Sequence, residues 1–159
     1  MWQHAGVSSP EPAYLVGLHL TGRRVVVVGG GHVVARRLRT LLASGARVHV
    51  VSPRLEPAVE AAAQAGELTW EPREYRHGDL ADAWYAMAAT DSPDVNAAVV
   101  AEAETHRVFC VRADDGDLGQ AVTPATGRRG HVQVAVVTGG DFRLSRRLRD
   151  DIMGRLPLE

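Results

Sequence analysis

Four consecutive valines, Val25 to Val28, run into Gly29, Gly30 and Gly31, and an arginine-studded apolar repeat, "HVVARRLRTLL", follows at once. A short apolar run without polar interruption suits a parallel strand covered on both faces. Val33, Val34, Leu38, Leu41 and Leu42 then recur at helical spacing, with Arg36, Arg37 and Arg39 largely off that stripe. A buried strand that passes through residues without side chains directly into a helix is how main-chain N–H groups are presented to a phosphate. Gly29-Gly30-Gly31-His32-Val33-Val34 matches the first two glycines of G-x-G-x-x-G. Gly29 would make the tight turn and Gly31 would admit a pyrophosphate close to the backbone. Val34 stands at the third position, where glycine or alanine normally lets helix and strand pack closely. The plain alternative is a glycine turn that binds nothing. A valine strand before, a helix after and a second strand ending about 20 residues on favour a dinucleotide.

The rest of the chain continues the alternation. Gly45 stops the first helix and "RVHVV" forms the next strand; a helix follows Pro57 through "AVEAAAQAG". "LTW" and "WYAMAAT" read as strands, "SPDVNAAVVAEAETH" as a helix opened by Ser92 and Pro93, and "RVFCVRA" as a further strand. This order predicts an α/β fold of Rossmann-like type, a doubly wound parallel sheet with helices on both faces. After Asp117 the rhythm breaks: "GDLGQAVTPATGRRG" is rich in turn formers, "HVQVAVVTGG" makes a strand and "DFRLSRRLRDDIMGRL" a helix. The expected division is a dinucleotide-binding domain over 1–120 and the start of a small second unit over 121–159. Residues 1–14, with Pro10 and Pro12, read as a loose lead-in. The chain ends within or just after a helix, which fits continuation in a longer parent protein.

Composition narrows the partners. The 18 basic residues are all arginine, so neither a Schiff-base lysine nor a P-loop lysine is available. A net charge of −1 gives no electrostatic case for nucleic-acid binding. No apolar run approaches the roughly 18 residues of a membrane span, and "MWQHAGVSSPEPAYL" lacks the pattern of a signal peptide. The single cysteine, Cys110, fits a reducing cytoplasm, and its place in an apolar strand makes it a core thiol rather than a nucleophile. His32, His77 and His131 do not stand at zinc-ligand spacing, so no resident metal is expected.

At the end of the second strand, Ser52, Pro53 and Arg54 occupy the place where an NAD-binding loop typically has Asp or Glu for the ribose hydroxyls. Arg54 is placed either to accept the extra phosphate of NADP or to lie over the adenine, and the residues leave both open.

Taken in order, "VVVVGGG…ARR", "VVSP", "AMAATDSPDVNAAV", "VFCVRADD", "TPA" and "VAVVTGG" resemble the precorrin-2 dehydrogenase family, which includes the N-terminal part of siroheme synthase. The resemblance runs from about Tyr14 to Leu156. It implies NAD-dependent oxidation of precorrin-2 to sirohydrochlorin, with ferrous iron as a possible further substrate. It puts cofactor contacts on Gly29, Gly30, Gly31, His32 and Val33, on Pro53 and Arg54 beside Ser52, and around Thr90 and Asp91. An essential family aspartate aligns with Asp114, while a neighbouring family asparagine is here Val111. Thr123 and Pro124 fall in the "TPA" motif, and the family's Ser-Gly-Gly is here Thr138-Gly139-Gly140. The family dimerises through its second unit, which implies a homodimer. The methyltransferase region of longer siroheme synthases has no counterpart in these residues.

The residue chemistry suits that expectation. Asp114 follows a predicted strand's C-terminal end, where sites of open α/β sheets gather, and is a reasonable general base. Its bland reading is a turn aspartate, since "DDGD" is also a turn sequence. A substrate with eight carboxylates needs fixed cations, for which Arg128, Arg129, Arg143, Arg146 and Arg147 are candidates. The bland reading for Arg146, Arg147 and Arg149 is a solvated helix face. Thr138, Gly139 and Gly140, just before a helix, offer a second anion site. The rival function is a regulatory domain that senses NAD without chemistry; a third reading is a truncated homologue.

Overall fold

The computed structural model describes residues 12–157, and the chain divides into two compact units. The larger is Gly17–Val122; the other runs from Thr123 and takes in Pro12–Val16 among the described residues.

In the larger unit, strands β1 (Arg24–Val28), β2 (Arg47–Val51), β3 (Thr69–Glu71), β4 (Tyr85–Ala88) and β5 (Phe109–Arg112) form a five-stranded parallel sheet in the order β3-β2-β1-β4-β5. Helices α1 (His32–Ala43), α2 (Pro57–Gln64) and α3 (Pro93–His106) make three of the crossovers, and residues 72–84 carry β3 to β4 without a helix. Successive side chains of a strand point to opposite faces, and the valines of β1 show the result. Val25 and Val27 pack with Val34 and Leu38 of α1, Val59 and Ala62 of α2, and Met87. Val26 and Val28 pack with Val99 and Ala103 of α3, and with Ala86, Ala88 and Cys110. The central strand therefore has no face for water, which is why its sequence reads as an unbroken apolar run. Val34 is 1% exposed within the first of these clusters. The branched side chain at the third motif position is thus absorbed as core.

The helix boundaries follow local chemistry. Gly45, at φ +73°, ends α1, and its N–H donates to Leu42 O at 3.0 Å. Ser92 caps α3 by accepting from the Val95 N–H at 3.3 Å, with Pro93 in the first turn. α3 also buries a carboxylate: Glu102, 2% exposed, accepts from Tyr75 Oη and from the Leu80 N–H at 2.9 Å.

The second unit is a hairpin with one helix. Strands β6 (Ala125–Arg129) and β7 (Val132–Val136) pair antiparallel around Gly130 and His131, and α4 (Phe142–Arg155) packs on both. Gly127 makes room for this, since a Cβ there would stand 2.6 Å from Met153 Sδ. The stretch expected to be turn-rich thus contains β6. "ATGRR" lacks large apolar residues, so its strand is set by main-chain pairing to β7 and leaves no apolar signature in the sequence.

Candidate functional site

The glycine loop connects β1 to α1, and its glycines have separate reasons. Gly29 adopts φ +115°, and a Cβ on it would lie 2.3 Å from Ala89 O, just past β4. At Gly30 a Cβ would lie 2.4 Å from Arg54 O and 2.7 Å from Leu55 Cδ2. Both are excluded by the protein's own packing. Gly31 differs: it is the N-cap of α1, its backbone is extended, and nothing lies within 4 Å of the position a Cβ would take. No side chain caps α1, and the first helical bond runs from the Ala35 N–H to Gly31 O at 3.0 Å. The N–H groups of His32, Val33 and Val34 therefore have no intrahelical acceptor. This open space beside uncapped donors fits a dinucleotide pyrophosphate.

The segment after β2 folds back over that loop. The Ser52 hydroxyl donates to Arg54 O at 2.6 Å, Trp70 Nε1 donates to Ser52 O at 2.9 Å, and the Glu56 N–H donates to Gly30 O at 2.7 Å. Ser52 is buried and its proton is committed, so it shapes the segment; Pro53 and Arg54 are exposed. The sequence reading passed over Glu56, whose Oε1 lies 3.7 Å from His32 Nδ1 at the start of α1.

Asp114 stands on the same edge of the sheet. Val28, Ala88 and Arg112 are register partners across β1, β4 and β5, so Gly29 and Asp114 lie just past one line. At the usual strand spacing they are about 10 Å apart across the sheet. β1 and β4 neighbour each other where the strand order reverses, the usual ligand position of such sheets. Asp114 Oδ1 accepts from Arg112 Nε at 2.9 Å and from Asn96 Nδ2 at 3.0 Å, and its Oδ2 accepts from the second guanidinium nitrogen of Arg112 at 2.9 Å. The Arg112 guanidinium, helped by Asn96, holds the Asp114 carboxyl below the usual carboxylate range. Asn96 is fully buried in α3 and is fixed in turn by Thr90: its Oδ1 accepts from Thr90 N at 3.0 Å and Thr90 Oγ1 at 2.8 Å, and its Nδ2 donates to Thr90 O at 3.1 Å. One network therefore joins Thr90, after β4, to Asp114, after β5. Asp91, beside Thr90, is exposed. Sequence reasoning missed Asn96 and Arg112. Arg112 was open to discovery as a charged residue two positions before Asp114, on the same side of an extended chain.

Cys110, fully buried in β5, is a core thiol, and burial pushes it up to about 11.

The other candidates, Thr123, Pro124, Arg128, Thr138, Gly139, Gly140, Arg143 and Arg146, belong to the second unit. There the expected anion site before α4 is filled from within. Asp141 Oδ1 accepts from the N–H groups of Arg143 at 3.1 Å and Leu144 at 2.9 Å. The Thr138 hydroxyl lies 2.6 Å from Ser145 Oγ and 2.6 Å from Asp141 O. An acidic side chain already occupies the donors, so the start of α4 repels an anion. Arg128 Nε donates to Gly130 O at 3.0 Å and Arg146 Nε to Phe142 O at 3.3 Å, while Arg143 and Arg147 are exposed.

Known proteins resemble this chain in sequence and in fold. A family model described as putative NAD(P)-binding matches residues 16–125. A precorrin-2 dehydrogenase of Bacillus subtilis (strain 168) is 36% identical over 124 residues, covering 77% of this chain and 75% of that protein. A siroheme synthase of Azotobacter vinelandii (strain DJ / ATCC BAA-1303) is 40% identical over 136 residues, covering 85% of this chain and 29% of that protein. The solved structure of SirC, a precorrin-2 dehydrogenase, superposes with a TM-score of 0.76 at 27% identity, covering 91% of this chain and 72% of that one. The chain thus spans less than a third of the siroheme synthase and about three quarters of the dehydrogenase. Sheet order, glycine loop and matched family define an NAD(P)-binding domain of Rossmann-like type. Within that class, the chain belongs to the precorrin-2 dehydrogenase family.

Proposed function

We propose that this chain oxidises precorrin-2 to sirohydrochlorin with NAD, with Asp114 taking up a substrate proton. The observation that carries the reading is the placement of an ionised carboxylate and an open helix start on one edge of the sheet. NAD, when bound, supplies the hydride acceptor. Gly31, His32 and Val33 would hold its pyrophosphate through main-chain N–H groups, with Pro53, Arg54, Thr90 and Asp91 around it. Asn96 and Arg112 fix the direction in which Asp114 presents its carboxylate. Arg128, Arg143 and Arg146 would meet the substrate's carboxylates, with Thr123 and Pro124 beside them.

The test is incubation with precorrin-2 and NAD while following the sirohydrochlorin spectrum. Asp114→Asn is expected to lower turnover at least about 100-fold, within the range for a general base, with NAD affinity retained. A domain that only senses NAD would show no turnover in either form. Because Arg112 depresses the Asp114 pKa, the acid limb of the wild-type rate profile lies below the ordinary aspartate range. Arg112→Gln moves that limb upward, so activity fails sooner on acidification. The same sign governs stability: the pair contributes above the unfolded aspartate value of about 3.9 and loses its contribution as pH falls through the folded value. An unmoved limb in Arg112→Gln would remove Asp114 as the titrating base.

Ferrous iron insertion, a homodimer and a cytoplasmic setting complete the proposal. In iron insertion Asp114 would accept the pyrrole protons; a rate equal to the uncatalysed background would exclude it. The dimer is supported by apolar side chains exposed on the second unit, Val132, Phe142, Leu148 and Ile152, and sedimentation of the protein as a monomer would exclude it. The single buried thiol supports a reducing compartment, and no described helix is long and apolar enough to cross a membrane.

A further inference from the structure

The strand-end acid that usually reads the adenosine ribose is missing from Ser52-Pro53-Arg54, yet a carboxylate is present a short way on. Glu56 is drawn onto the glycine loop by its main-chain bond to Gly30 O at 2.7 Å, and its Oε1 lies 3.7 Å from His32 Nδ1. Its other oxygen, Oε2, is buried and has no hydrogen-bond partner. Glu56 is the N-cap of α2, but its side chain makes no capping bond there, so that helix does not explain the carboxylate's position. A carboxylate oxygen only accepts hydrogen bonds, and the Glu56 side chain, 35% exposed, leaves a carboxylate short of a donor yet within reach of a ligand. Adjacent ribose hydroxyls are such donors, and a phosphate on the same ribose would meet the carboxylate as a like charge. Arg54 is differently engaged: its carbonyl fills the space above Gly30 and accepts from Ser52, while its side chain points to an exposed surface.

We propose that Glu56, reached through the fold-back of the β2–α2 segment over Gly30, is the acceptor for the adenosine-ribose hydroxyls and sets a preference for NAD over NADP, with Arg54 outside that choice. This rests on the cofactor reading of the glycine loop. The experiment is calorimetric titration of the full chain with NAD and with NADP, for the wild type, Glu56→Gln and Arg54→Gln. Wild type is expected to favour NAD by at least about tenfold. Glu56→Gln should erase most of that ratio, and Arg54→Gln should leave it within about twofold. Thermal melting checks that Glu56→Gln folds as wild type does, and Glu56→Asp, which keeps the charge, should keep the sign of the preference. A ratio untouched by Glu56→Gln, or a wild-type preference for NADP that Arg54→Gln abolishes, overturns the assignment and leaves the cofactor reading standing. Uptake of neither nucleotide by folded wild type overturns both.

Discussion

Helices α1 and α4 both start after glycines, Gly29–Gly31 in one case and Gly139–Gly140 in the other, and they treat their first N–H groups in opposite ways. At α4 the Asp141 carboxylate accepts from Arg143 and Leu144. At α1 the cap is Gly31, with no side-chain bond and open space around it. A glycine cap forgoes stability that Ser, Thr, Asp or Asn would supply. A helix start can donate to a ligand only where the chain withholds its own acceptor. Glycine-rich spelling alone does not tell the two apart.

The largest expected effect separates the glycines themselves. Gly29→Ala sets a Cβ 2.3 Å from Ala89 O at φ +115°, and should cost roughly 3 kcal/mol or more from overpacking and left-handed strain together. Gly140→Ala, at φ +101° with nothing within 4 Å, meets only the conformational penalty of about 1–2 kcal/mol. Chemical denaturation of both variants measures the gap; equal losses would mean that the α1 loop is not held by packing. The next effect exchanges the caps. Gly31→Asp places an acid at an extended, unobstructed N-cap, and should weaken dinucleotide binding at least about 100-fold while leaving the melting temperature no lower. Unchanged affinity would show that the nucleotide is held elsewhere. The smallest effect is at the other helix: Asp141→Ala should cost about 1 kcal/mol of stability and leave dinucleotide affinity unaltered.

What could be read in advance was burial. The valines of β1, the stripe of α1 and the Ser92-Pro93 start of α3 each report a local rule, and each element formed where that rule placed it. Polar side chains that bridge elements were not legible. Asn96 in α3 reaches Thr90 and Asp114, and Glu102 in the same helix reaches Tyr75 and Leu80. Neither partnership has a spacing within one element. The Arg54 carbonyl that a Cβ on Gly30 would strike arrives from another segment, and that demand on Gly30 was likewise not legible. β6 escaped notice because main-chain pairing needs no particular side chains. The C-cap of α3 escaped for a related reason: Arg107 adopts φ +57°, a conformation that its residue type does not announce.

Cys110 gives the protein a clock of its own. It is the only thiol in the sequence and lies on the central sheet with no exposed surface. Burial also keeps it protonated at neutral pH, with its pKa raised to about 11, so a thiol reagent must wait for β5 to open. The labelling rate therefore counts excursions of the sheet edge that carries Asp114, and slower labelling in the presence of nucleotide would show binding and rigidity to be coupled, without any probe being added to the chain.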